Sequence, residues 1–172
     1  MDIYYAAEIS RIAGFDKPYM LGYLERTKIF MRENWEDRRH GKVKKYTFRD
    51  LIVLRAIKKM LDIGIRPLRV KEVLQNLCKE EGLPNNRAAA ELFAQSANSL
   101  FLISKDSVVF VNSDQEMIDL TKNRQLAFSF MVGLSDLINE LAPVVEMYEP
   151  VRTGNWTHDE KVLDEICSSR GF

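Results

Sequence analysis

The stretch Tyr46 to Ile65, YTFRDLIVLRAIKKMLDIGI, decides how the chain is read. Thr47 carries a hydroxyl suited to accept from the free amides of a helix's first turn. Asp50, three positions on, stands where a carboxylate reaches back to the cap's own amide. From there Leu51, Leu54, Ile57 and Leu61 recur at helical spacing, with charge on the far side, and Gly64 supplies a stop. The stretch predicts a capped, amphipathic third helix.

Working outward, the same logic predicts three more helices. Ala6 to Ala13 places Ile9, Ile12 and Ala13 on one face and ends at Gly14. Asp16 is an expected N-cap for a second helix that tolerates Pro18 in its first turn and turns Leu21, Leu24 and Ile29 inward. Two short helices joined by a Gly-containing turn form a helix-turn-helix candidate. A fourth helix runs from Pro67 to Leu77, with Val70, Val73, Leu74 and Leu77 facing in. Between helices two and three lies Glu33 to Lys45, ENWEDRRHGKVKK, holding Arg38, Arg39, Lys42, Lys44 and Lys45, with Arg32 just before it. By itself this reads as a solvated loop. After a helix-turn-helix it reads as a wing, a basic hairpin laid along phosphates, with Trp35 and Val43 alternating inward.

Charge is segregated along the chain. Residues 1–79 hold 18 Lys and Arg against 10 Asp and Glu, and residues 80–172 hold 7 against 15, so a net of zero hides +8 and −8. A positive block attracts a polyanion and releases its condensed counterions, the main sequence-independent source of nucleic-acid affinity. The acidic half is expected to serve assembly or sensing. The sign change coincides with Cys78 to Asn86, CKEEGLPNN, which breaks helical periodicity and divides the chain into domains 1–79 and 80–172.

Composition excludes several classes. Hydrophobic content of 46% and charged content of 29% suit a soluble globular protein. No apolar run approaches the roughly 18 residues of a membrane span, and MDIYYAAEIS lacks the features of a signal peptide, so a cytoplasmic location is expected, with no membrane partner. Cys78 and Cys167, with His40 and His158, give neither a disulfide framework nor a metal site. No cofactor and no catalytic residues are expected: there is no phosphate-cradling glycine loop, no Ser/His/Asp set and no carboxylate pair outside solvated helix faces.

In the acidic half, Asn86 to Ala97 reads as a short helix. Leu100 to Ile103 and Val108 to Val111 read as a β-hairpin with a four-residue loop. A long helix is expected from Asn123 to Leu141, where Phe130, Leu134, Leu137 and Leu141 repeat like a coiled-coil seam. The seam fits either a dimer helix or a core helix laid over the hairpin. Pro143 ends or kinks that helix, and Thr157 with Glu160 form a capping-box signature for a terminal helix. Phe93, Phe101, Phe110, Phe128 and Phe130, with Met117 and Met131, fit a plain core or the lining of a small-molecule effector pocket. The fold class expected is mostly α: a winged helix-turn-helix N-terminal domain with a C-terminal α+β region, a β-hairpin plus a long helix.

The order helix, turn, helix, basic hairpin, YTFRDL helix and IRPLRVKEVLQNL helix resembles the MerR family of bacterial transcription regulators over about residues 4–77. Tyr46-Thr47-Phe48-Arg49-Asp50-Leu51 is similar to the family's Tyr-x-x-x-Asp-Leu opening, and Leu21-Gly22-Tyr23-Leu24-Glu25 to its Leu-Arg-Tyr-Tyr-Glu recognition-helix motif. Departures stand beside the match. Gly22 replaces an Arg that holds DNA backbone, Leu24 replaces a Tyr, the turn before Tyr19 is one residue longer, and Gly41-Lys42-Val43 stands for Gly-Tyr-Arg. The resemblance implies a homodimer on promoter or operator double-stranded DNA, with RNA polymerase as a further partner. The DNA-contact candidates are Lys17, Tyr19, Tyr23, Arg26, Arg38, Arg39, Lys42, Lys44, Lys45 and Arg49. Lys and Arg suit phosphates or guanine edges, and Tyr hydroxyls suit phosphate, while packing remains the alternative for each Tyr and an ion pair for Arg49. A different class of reading is a protein-interaction adaptor, or an antitoxin-like module, whose DNA face has degraded.

Overall fold

The third helix, here α3 (Phe48–Asp62), opens as its sequence requires. The Thr47 amide donates to the Asp50 carboxylate at 2.9 Å, and the Asp50 amide donates to the Thr47 hydroxyl at 3.2 Å. The computed structural model describes residues 3–32, 43–80, 100–103, 108–111 and 130–172, and within them the chain is mostly helical. α1 (Ala6–Ile12) and α2 (Tyr19–Arg26) precede α3, and α4 (Pro67–Glu80) follows it. Gly14 and Gly64 both take the left-handed conformation, φ +88° and +90°, and so end α1 and α3 as expected.

Three strands follow: β1 (Leu100–Ile103), β2 (Val108–Val111) and β3 (Phe130–Gly133). They pair antiparallel in the order β2-β1-β3, with Phe101 opposite Phe110 on one side and Val132 on the other. α5 (Leu134–Tyr148) continues directly from β3. A short 3-10 turn (Glu149–Val151) then leads to α6 (Trp156–Ser169). The expected helix at residues 86–97 and the loop at residues 104–107 lie outside the described residues.

One core joins the two ends of the chain. Ile9 and Ile12 of α1, Leu54 and Ile57 of α3, Leu137, Leu141 and Tyr148 of α5, and Leu163 of α6 are all buried in a single cluster. Full burial of a leucine side chain stabilises by roughly 1.5–3 kcal/mol relative to exposure. Leu137 and Leu141 alone therefore supply several kcal/mol toward seating α5. α3 is buried on nearly all sides, with Ile52, Val53, Ala56 and Met60 in the core beside its expected stripe.

Four expectations are corrected. Asp16 does not hold the N-cap position of α2: Pro18 does, with φ −61° and no side-chain cap hydrogen bond. Phe130 lies on a strand, not in a helix begun at Asn123, and α5 starts only at Leu134. Of the two outcomes expected at Pro143, an end or a kink, the end is not found: α5 runs through to Tyr148; the proline removes one ladder donor, and tertiary packing of Val144, Val145 and Tyr148 holds the helix on. Thr157 lies inside the first turn of α6, because Asn155 is the N-cap. The tie at that end is Asp159, whose buried carboxylate accepts from the Thr153 amide (2.9 Å), the Thr153 hydroxyl (2.6 Å) and the Gly154 amide (2.8 Å). The Thr153 hydroxyl and these amides outweigh burial and hold the Asp159 carboxyl at about 2.

Candidate nucleic-acid interface

α1 and α2 are joined by a turn in which Gly14 reverses the chain and Phe15 drops into the core, its amide bonding to the Ser10 carbonyl at 2.9 Å. Leu21 and Leu24 bury the inner side of α2. Helical geometry then sets Tyr19, Gly22, Tyr23 and Arg26 on the other side, one or two turns apart. Tyr19 is 66% exposed, Arg26 and Lys17 are exposed, and Tyr23 is half-buried against the core. Among the described residues, a methyl group built on Gly22 would meet no atom within 4 Å.

The exit from α2 is tightly specified. Thr27 donates its hydroxyl to the Tyr23 carbonyl at 2.8 Å, and Lys28 adopts a left-handed φ of 56°. Ile29 and Phe30 then turn into the core, both amides bonding the Leu24 carbonyl. The Phe30 ring stacks on Tyr46 with centroids 6.4 Å apart, so the two ends of the basic segment are held together. Tyr46 also exchanges two backbone hydrogen bonds with Tyr4, at 2.9 and 3.0 Å.

Glu25 ties the same region from the side. Its carboxylate accepts the Tyr46 phenol at 3.1 Å and pairs with Lys44. Burial, and then the negative charge of Glu25, push the Tyr46 phenol well above its usual range, so it stays a donor. Lys44 is thus engaged within the chain, Lys45 and Arg49 are exposed, and Val43 is 68% exposed where an inward position was expected. Arg38, Arg39, Lys42 and Trp35 lie outside the described residues.

The acidic half meets the basic half directly. Arg55 donates to the Ala13 carbonyl at 3.2 Å, pairs with Glu140 of α5 and places its guanidinium 4.1 Å from the Phe172 ring centroid. Lys59 reaches the other Glu140 oxygen at 2.6 Å. Burial pushes the Glu140 carboxyl up, but the hydrogen bonds from Arg55 and Lys59 prevail and hold it below the ordinary range. On α1, Glu8 is 3% exposed and accepts from Tyr148 (2.9 Å), from Arg152 (2.7 and 2.8 Å) and from the Tyr5 amide (2.7 Å). Arg11 pairs with Asp164 of α6, and Tyr4 donates to Glu149 at 3.0 Å. Sequence reading missed this clamp, because its ion-paired partners lie 81 to 153 residues apart.

The clamp also places the expected dimer residues. Leu137 and Leu141 are fully buried in the chain's own core, against α1 and α3, so their seam is filled from within. Leu134 begins α5, and Phe130 is on β3.

No protein-family model matches the chain. Curated relatives do. The chain is similar to helix-turn-helix transcriptional regulators. An uncharacterized HTH-type transcriptional regulator of Mycobacterium bovis is 24% identical over 151 residues, covering 87% of this chain. An uncharacterized HTH-type transcriptional regulator of Mycobacterium tuberculosis matches to the same extent. The match covers 61% of each relative's length. Among the described residues, no helix is long and apolar enough to cross a membrane.

Proposed function

We propose that the chain is a MerR-like DNA-binding transcriptional regulator that holds duplex DNA on the outer side of α2 and on the basic segment between α2 and α3. The observation that carries this reading is the outward stripe of Tyr19 and Arg26, beside Lys17, on the second helix of a helix-turn-helix. The inner side of that helix is locked by Leu21, Leu24 and the Glu25–Tyr46 bond. The stacked Phe30 and Tyr46 rings support a wing, since they set the ends of the basic segment side by side. The likeness to helix-turn-helix regulators supports DNA as the partner.

In this reading residues 1–79 carry the DNA surface, and residues 80–172 brace it and hold a second copy. A two-fold reader matches two half-sites, and its two copies meet through a surface other than Leu137 and Leu141. Lys17→Ala and Arg26→Ala test the assignment. Each phosphate contact removed lowers affinity alike on all sequences and reduces the salt slope by about 0.9. Affinity and slope unchanged in both variants would refute it.

A further inference from the structure

Gly22 sits in the middle of α2, with Tyr19 one turn before it and Arg26 one turn after. Its conformation needs no glycine: it is helical, and it is absent from the residues at positive φ. Among the described residues nothing needs the space either, since an added methyl would meet none of their atoms within 4 Å. A helix-interior glycine without either reason lowers helix stability relative to alanine, because it leaves the unfolded chain freer. A physical reason for a bare backbone there is close approach by another molecule.

Resting on the DNA-binding reading above, we propose that Gly22 is a positioning residue: the missing side chain lets the DNA sugar-phosphate backbone come into van der Waals contact with the α2 main chain. Tyr19 and Arg26 flank that contact and supply the hydroxyl and the guanidinium that phosphate oxygens accept from. Any side chain at position 22 would push the duplex outward and lengthen both flanking hydrogen bonds together. A glycine that had simply lost a contact would behave in the opposite way, because adding a side chain would then be harmless.

Gly22→Ala and Gly22→Leu separate the two. Binding of the full chain to duplex DNA from upstream of its own gene is measured by fluorescence anisotropy, with thermal unfolding of each variant alongside. The expected result is a melting temperature equal to or above that of the parent, with affinity lower by about tenfold for Ala and by more for Leu, as for a backbone approach blocked by a Cβ. Affinity unchanged in both variants would overturn the role of Gly22 while leaving the DNA-binding reading intact. A parent chain that binds its own upstream duplex no better than a scrambled one would overturn both.

Discussion

Replacing Glu8 by alanine tests whether the C-terminal helices are held on α1 by a buried charge cluster. The Glu8 carboxylate accepts four hydrogen bonds, from Tyr148 of α5, from the Tyr5 amide, and two from Arg152. Its loss strands a Tyr148 hydroxyl that is 0% exposed and a guanidinium whose side chain is 23% exposed. Breaking a buried pair by removing one partner costs about 3–5 kcal/mol. Water reaches Arg152 in the variant and reduces that figure, while the orphaned Tyr148 hydroxyl adds about 1 kcal/mol. The net expectation is a loss of about 3 kcal/mol, which for a chain of this size lowers the melting temperature by roughly 6–12 °C. Urea unfolding followed by circular dichroism reads this as a lower midpoint at unchanged slope. The Glu8→Ala/Arg152→Ala double variant removes the stranded charge, so its loss falls short of the sum of the single losses by at least about 1 kcal/mol. A single-variant loss below about 1 kcal/mol, or strict additivity, would refute the reasoning.

Two further outcomes follow from the same contacts. The Asp159 carboxyl titrates at about 2 in the folded chain against 3.8 when free, so the stability it contributes is present above pH 4 and is lost as pH falls through 2. The stability difference between the parent and Asp159→Asn, measured by urea unfolding from pH 5 to pH 2, should therefore shrink with acid; a flat difference would contradict the assignment. Pro143→Ala restores an amide donor within α5 and should raise stability by about 1–3 kcal/mol in the same assay, whereas a loss would mean that the fold needs the proline's bend there.

What the sequence revealed depended on distance along the chain. The Thr47–Asp50 cap and the Gly14 and Gly64 stops are fixed by residues within a turn of each other, and the structure has them as read. The Asp16 and Thr157 caps were misread because short polar motifs recur by chance and a two-residue shift of a helix start voids them. The Leu137–Leu141 spacing marked an apolar stripe that fitted a dimer helix or a core helix, and both residues are buried. An apolar stripe carries no mark of whether its cover comes from a second chain or from its own α1 and α3. The charge division was legible, but not its use: Glu140, Glu149 and Asp164 engage Arg55, Lys59, Tyr4 and Arg11 of the basic half. At the candidate site, the exposure of Tyr19 and Arg26 follows from helical spacing, and that of Lys17 from its place in the turn before α2. The capture of Lys44 by Glu25 follows only from tertiary structure.

The central claim, that α2 and the basic segment hold duplex DNA, is tested most directly by binding of the full chain to DNA from upstream of its own gene across a salt series, with a scrambled duplex alongside. The expected result is sequence-selective binding whose logarithm falls steeply and linearly with the logarithm of salt concentration. Weak binding, equal on both duplexes, would contradict it and would leave the exposed side of α2 as a surface for a protein partner.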